Sequence, residues 1–171
     1  MTNSVPKSSQ DIIGKWLSRW RNSRVAKEIS PPFLDIGCGD NILAKKLKGG
    51  IGIDIVNYGN LDLIVKDFYD LPFERESFSS IAIVASLNYF GHTEKVLSEC
   101  ARVLRPNGTL ILTLLSPLIG KFWHFFREPW ANLPGFSYQE LERLTQGAGL
   151  QITKKSKFML GMNNLYILTK L

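Results

Sequence analysis

The run Phe33-Leu34-Asp35-Ile36-Gly37-Cys38-Gly39-Asp40 constrains this chain more than any other eight residues. Four residues of strand character lead straight into a glycine turn, and Asn41 to Leu47 then carries helical spacing. Glycines let the backbone approach a ligand closely and adopt dihedral angles closed to other residues, while the helix N-terminus beyond them offers unpaired amides. Strand, turn and helix in that order describe a nucleotide-type site. A dinucleotide-binding turn needs Gly-x-Gly-x-x-Gly, and Ile42 stands where the third glycine belongs. Asp35, two positions before the first glycine, repels a diphosphate and suits a positively charged group.

Strand and helix signals alternate along the rest of the chain. Asp11 to Ile29 reads as an amphipathic helix with Ile12, Ile13, Trp16, Leu17 and Trp20 on one face and the basic residues mostly on the other, ended by Pro31 and Pro32. Further strands are expected at Gly52 to Ile55, Leu61 to Val65, Ser80 to Ala85 and Thr109 to Leu115. A helix from His92 to Leu104 should bury Val96, Leu97, Cys100, Val103 and Leu104. Pro106-Asn107-Gly108 reads as the turn into the strand that follows. After a helix from Tyr138 to Gln146, Gln151 to Lys157 and Asn164 to Lys170 form a terminal hairpin, so a mostly parallel seven-stranded sheet ends antiparallel. With 171 residues, 44% of them hydrophobic, one domain over residues 1–171 is the expectation.

Two more acids fall at strand ends. Gly52-Ile53-Asp54-Ile55 places a carboxylate about twenty residues after the first glycines, where it can accept both hydroxyl hydrogens of a ribose. Val65-Lys66-Asp67-Phe68-Tyr69-Asp70-Leu71-Pro72-Phe73 follows the next strand. From about Phe33 to Thr113 the chain resembles the class I S-adenosylmethionine-dependent methyltransferases, whose glycine-rich motif is matched by Asp35-x-Gly37-x-Gly39. The resemblance implies a three-layer Rossmann-like α/β sandwich, S-adenosylmethionine as cofactor and S-adenosylhomocysteine as product. It also implies site roles. Asp35, Gly37, Cys38 and Gly39 form the turn, Asp54 binds the ribose, and Ile55 packs on the adenine. Asp67 accepts the adenine amino group, the Phe68 amide meets a ring nitrogen, and Ser86 and Leu87 border the methionyl part. Many members have a further glycine where this chain has Asn41, a residue that tolerates positive φ better than most. Ser79 replaces an aspartate that often precedes the fourth strand, and Asn107-Gly108 stands where two glycines are usual.

Methyl transfer by direct displacement requires alignment and dryness, and needs a base only when the nucleophile carries a proton. Tyr89 and His92, beyond the fourth strand, are the catalytic candidates, set against a capping or packing role for each. The segment from Leu118 to Trp130, with Trp123 among its aromatics and Lys121 and Arg127 interleaved, reads as a substrate lid, an interfacial segment or core. Together with the Trp-bearing basic helix at 11–29 it points to a small-molecule or lipid-like acceptor and to peripheral membrane contact. The formal charge of +6 and pI of 9.4 attract phosphates of any origin. Nucleic acid is disfavoured as acceptor because Ser86-Leu87-Asn88-Tyr89 lacks the paired prolines of the base-amino methyltransferases. The alternative class is a catalytically silent cofactor-binding subunit serving a partner protein, and a nicotinamide oxidoreductase fails on the missing third glycine. Cys38 and Cys100 have no metal-ligand neighbours, Met1 to Gln10 has no secretory pattern, and no apolar run is long enough for a bilayer span. A cytoplasmic protein without a metal is therefore expected.

Overall fold

Phe33–Ile36 forms β1, an interior strand of the sheet, and its four side chains are all buried because helices cover both faces. The computed structural model describes residues 12–116 and 135–171. In chain order the elements are α1 (Ile12–Val25), β1, α2 (Ile42–Lys46), β2 (Gly50–Asp54), β3 (Leu63–Ile64), β4 (Phe78–Val84), α3 (Thr93–Val103), β5 (Leu104–Leu115), α4 (Tyr138–Gly147), β6 (Leu150–Phe158) and β7 (Asn163–Lys170). The sheet runs β3-β2-β1-β4-β5-β7-β6. The first five strands are parallel, and β7 is antiparallel to both neighbours, as the terminal hairpin requires. Strand order reverses between β1 and β4, which opens a crevice at their carboxyl ends.

Alternation along the strands divides the core into two layers. Leu34, Ile36, Ile81, Ile83, Leu110 and Leu112 face α3 and α4, where Val96, Leu97, Cys100, Val103 and Leu141 complete the larger cluster. Phe33, Ala82, Ile111, Leu165 and Ile167 face the other way, toward Val25 of α1 and Leu43 of α2. Each fully buried aliphatic chain contributes roughly 1.5–3 kcal/mol, so the central strands hold the three layers together. Ser137 caps α4, its hydroxyl accepting from the Glu140 amide at 3.1 Å, and Gly149 takes the left-handed conformation just past the helix end.

Three expectations need correction. The two faces of α1 are not divided as expected: Trp16 and Trp20 are 58% and 39% exposed beside the exposed Lys15 and Arg19, and Asn22 and Val25 are buried. The helix turns Gly14, Ser18 and Asn22 toward the glycine turn. It also ends at Val25, with a turn continuing to Glu28. The Pro106-Asn107-Gly108 turn lies inside β5 as a bulge: Leu104 pairs with Phe78 and Thr109 with Ser80, and Asn107 has φ +60°. The third strand shrinks to Leu63–Ile64.

Asn41 occupies the turn's further glycine position with φ +55° and ψ +43°, a conformation asparagine tolerates. Its side-chain amide donates to the Asn60 carbonyl (3.0 Å) and to Asp62 Oδ2 (2.9 Å), and the same Asp62 oxygen accepts from the Gly52 amide at 2.8 Å. Asn41 fills the space above Gly52, so a Cβ on Gly52 would overlap the Asn41 carboxamide. Two hydrogen bonds prevent that side chain from swinging aside. Gly52→Ala should therefore lower stability by about 3 kcal/mol, the upper end of an overpacked core, whereas Gly147→Ala, at a glycine with open space at its Cβ and no positive φ, should cost far less. Urea unfolding of the two variants checks this; equal midpoints would contradict it.

Candidate cofactor site

The crevice between β1 and β4 is shaped by a pair of left-handed residues. Gly37 has φ +67°, and a Cβ there would come within 2.8 Å of Ser86 Oγ, so glycine is required on both conformational and steric grounds. Ser86 in turn donates its hydroxyl to the Ile36 carbonyl at 3.2 Å, tying the end of β4 to the end of β1. Ala85, just before it, has φ +55°, a conformation costing about 1–2 kcal/mol for a residue with a Cβ. The Ala85 amide is held by the Thr113 carbonyl at 3.1 Å, so β5 fixes this strained corner. The amides of Gly37 and Cys38 both donate to the Ile53 carbonyl, at 2.9 and 3.1 Å, which draws the turn onto β2. Cys38 is half-buried, and burial together with Asp35 pushes its thiol pKa up, so it remains protonated.

Two acids meet beneath this turn. Asp54, buried at the end of β2, accepts from the Gly39 amide through Oδ2 (2.9 Å) and from the Ile55 and Val56 amides through Oδ1 (2.8 and 3.2 Å). Asp35 is equally buried, and its Oδ1 has no hydrogen-bond partner. Burial first, and the neighbouring Asp54 charge second, raise the Asp35 pKa to about 8. Asp67 lies three residues past β3 and closes an Asx turn, its Oδ1 accepting from the Tyr69 and Asp70 amides at 2.9 and 3.2 Å. Phe68 is buried with its ring 4.6 Å from that of Phe90, while Ile55 is 44% exposed beside Asp54.

A cleft of about 130 Å³ opens over the turn, lined by Asp35, Gly37, Cys38 and Gly39 below and by Gly14, Ser18 and Asn22 of α1 above. Tyr58 closes one side. The α1 wall was not legible as such, because Gly14, Ser18 and Asn22 read as neutral spacers among more conspicuous residues; their only signal is the four-residue spacing that puts them on one helix face. Asn22 is buried and donates to the Ser18 carbonyl at 2.9 Å. Arg21, on the same helix, has its Nε buried without a partner and lies near enough to Tyr89 for their charges to interact.

The remaining expected residues are spread out. The Leu87 side chain is fully buried in the larger core cluster, leaving only its backbone for ligand contact. Tyr89 is 46% exposed, with burial of part of its ring pushing the hydroxyl pKa up. His92 precedes α3 without a side-chain capping bond, stands 3.8 Å from Glu94 and edge-on to Tyr69 at 5.5 Å, and is absent from the cleft lining. Trp123 and the rest of Leu118 to Trp130 lie outside the described residues. Among the described residues no group of His, Cys, Asp and Glu is placed to hold a metal ion, and no helix is long and apolar enough to cross a membrane.

Known proteins share this arrangement. Residues 34–112 match a methyltransferase domain family model, covering every element from β1 into β5. A demethylmenaquinone methyltransferase of Chlamydia caviae is 32% identical over 132 residues, which take in 61% of this chain and 56% of that protein's length. Among solved structures, a S-adenosylmethionine-dependent methyltransferase from Thermotoga maritima superposes with a TM-score of 0.74 at 21% identity, covering 96% of this chain and 99% of that one. A chain from the complex of the Haloferax volcanii Trm112 methyltransferase activator with its methyltransferase superposes at 0.75 with 17% identity, covering 95% and 93%. The chain thus carries a methyltransferase domain match over residues 34–112, and its sheet order and the glycine turn between β1 and α2 are those of the class I S-adenosylmethionine-dependent methyltransferase fold.

Proposed function

We propose that this chain, acting as one domain, binds S-adenosylmethionine in the cleft beneath α1 and transfers its methyl group to a small, apolar acceptor. One observation carries the reading: two buried acids, Asp35 and Asp54, stand at the ends of adjacent parallel strands beside one glycine turn, and a third, Asp67, follows the next strand by three residues. Asp35 offers the specific fit. A buried carboxyl oxygen without a protein partner, beside a turn where a Cβ on Gly39 would meet only open space, calls for a hydrogen-bond donor, and a cationic donor is the one that also favours its ionised form.

The cofactor brings a methyl group already activated on a sulfonium, so the protein's part is to bind, orient and dry. Asp35 holds the positive methionyl end and gives up its own proton in doing so. Asp54, fixed by three amides, keeps lone pairs for the ribose hydroxyls, and the exposed Ile55 covers the adenine. With Asp67 Oδ1 engaged by its own turn, the adenine amino group falls to Oδ2. Cys38 and Gly39 line the floor, the Phe68 amide meets the adenine ring, and Ser86 with the Leu87 backbone borders the methionyl chain. On the acceptor side Tyr89 remains a phenol and serves as a hydrogen-bond donor that positions the acceptor; His92, turned toward Tyr69, has no assigned step. An apolar acceptor is supported by the likeness to a demethylmenaquinone methyltransferase. A cytoplasmic location accompanies this reading. A second reading, a silent subunit activated by a partner, draws on the likeness to a methyltransferase in complex with an activator.

Calorimetry with S-adenosylhomocysteine should show binding by the native chain and a loss of at least about a hundredfold in affinity for Asp54→Ala, the cost of two charge-assisted hydrogen bonds. No binding by the native chain would sink the proposal. Radiolabelled methyl from the cofactor should appear in the organic phase of a lipid extract; label transfer only after a partner protein is added would favour the second reading.

Asp35 sets a pH dependence. Its folded pKa, about 8, lies above its unfolded value of 3.8, so the folded state binds more protons between those limits. The associated stability is fully present below about pH 4 and is lost as pH rises through 8. In the ligand-free protein Asp35→Asn should flatten this decline, making the variant more stable than the native chain at about pH 9. Thermal melts across the range check this; parallel pH profiles for the two proteins would contradict it.

A further inference from the structure

The outward face of α1 is unlike any other exposed helix surface in the described residues. Trp16 and Trp20 lie one turn apart, 58% and 39% exposed, with their rings in edge contact at 5.1 Å. Lys15, Arg19 and Lys27 are exposed on the same side. Beside them the basic turn of α2 adds Lys45 and Lys46, the latter donating to Ser23 Oγ of α1 at 3.3 Å. The acid nearest this face, Glu28, is engaged by Arg24 at 2.8 Å and Lys154 at 3.3 Å, which leaves the face strongly positive. The opposite side of the same helix, through Gly14, Ser18 and Asn22, is the wall of the cleft.

We propose that α1 docks on an anionic lipid bilayer, with Trp16 and Trp20 entering the headgroup region and the surrounding lysines and arginine meeting the lipid phosphates. Indole is favoured at such an interface because its apolar body and N–H suit the two sides of the boundary, and basic residues flanking it add electrostatic attraction. A single-stranded nucleic acid would need flat ring faces along a groove for base stacking; here the rings pack edge to face on a convex helix. Docking sets the cleft one helix thickness from the bilayer, because the cleft wall is the opposite side of α1, so an apolar acceptor passes from lipid to site around one helix. This route rests on the methyl-transfer reading, whereas the docking itself does not.

Vesicles of equimolar phosphatidylcholine and phosphatidylglycerol, with brominated acyl chains, test it by sedimentation and by quenching of tryptophan fluorescence. The native chain should sediment with these vesicles at low salt, be quenched, be released at about 0.5 M salt, and ignore pure phosphatidylcholine. Trp16→Ala with Trp20→Ala, and separately Lys15→Glu with Arg19→Glu, should each weaken partitioning at least about tenfold. Both variants should keep the native thermal shift with S-adenosylhomocysteine, which shows that they fold and separates this proposal from the functional reading. Failure of the native chain to bind, equal binding by the variants, displacement from vesicles by single-stranded RNA, or a dimer that the tryptophan substitutions dissociate would each overturn it.

Discussion

Two carboxyl groups packed under one glycine turn govern the site. Asp54 has three backbone amides for company, and Asp35 Oδ1 has none, so the proton of the pair rests on Asp35. The neighbourhood is built around keeping these two acids in place. Gly37 and Cys38 bind the Ile53 carbonyl, Ser86 binds the Ile36 carbonyl, and Asn41 with Asp62 braces the loop that follows β2. Without a cation, the site holds a buried polar atom unsatisfied, a cost typically repaid only when a ligand arrives.

Much of this was legible before any coordinates. Strand positions follow from short apolar runs, and the three acids stood out because each ended one of them. The buried set of α3 was readable from helical spacing, since Val96, Leu97, Cys100 and Val103 recur at its period and all are fully buried. The orientation of α1 was not. Periodicity finds an apolar stripe but does not say whether a sheet, a membrane or solvent lies against it, and the tryptophans that made the stripe turned outward. Ala85 carries no sequence mark of its left-handed conformation, because β5 and the adjoining turn impose it from outside. The partnership of Asn41 with Gly52 and Asp62 was likewise hidden, being a matter of space between residues distant in the chain.

The two faces of α1 connect fold to function. Gly14, Ser18 and Asn22 on one face line the cleft over the turn, and the indoles of Trp16 and Trp20 are exposed on the other. A single helix thus determines how enclosed the cofactor end is and what the protein presents to its surroundings. Arg21, on the same helix, lies near enough to Tyr89 for its charge to be felt at that phenol.

The most direct test of the account is the proton balance of cofactor binding. Titration of S-adenosylhomocysteine into the protein at about pH 7, repeated in buffers of different ionisation enthalpy, counts the protons released. With the Asp35 pKa near 8 before binding and a cation beside it afterwards, close to one proton should leave the native protein and almost none the Asp35→Asn variant. Binding with no proton release from the native chain, or the same release from both, would contradict the assignment of Asp35 as the acid that receives the cofactor's positive end.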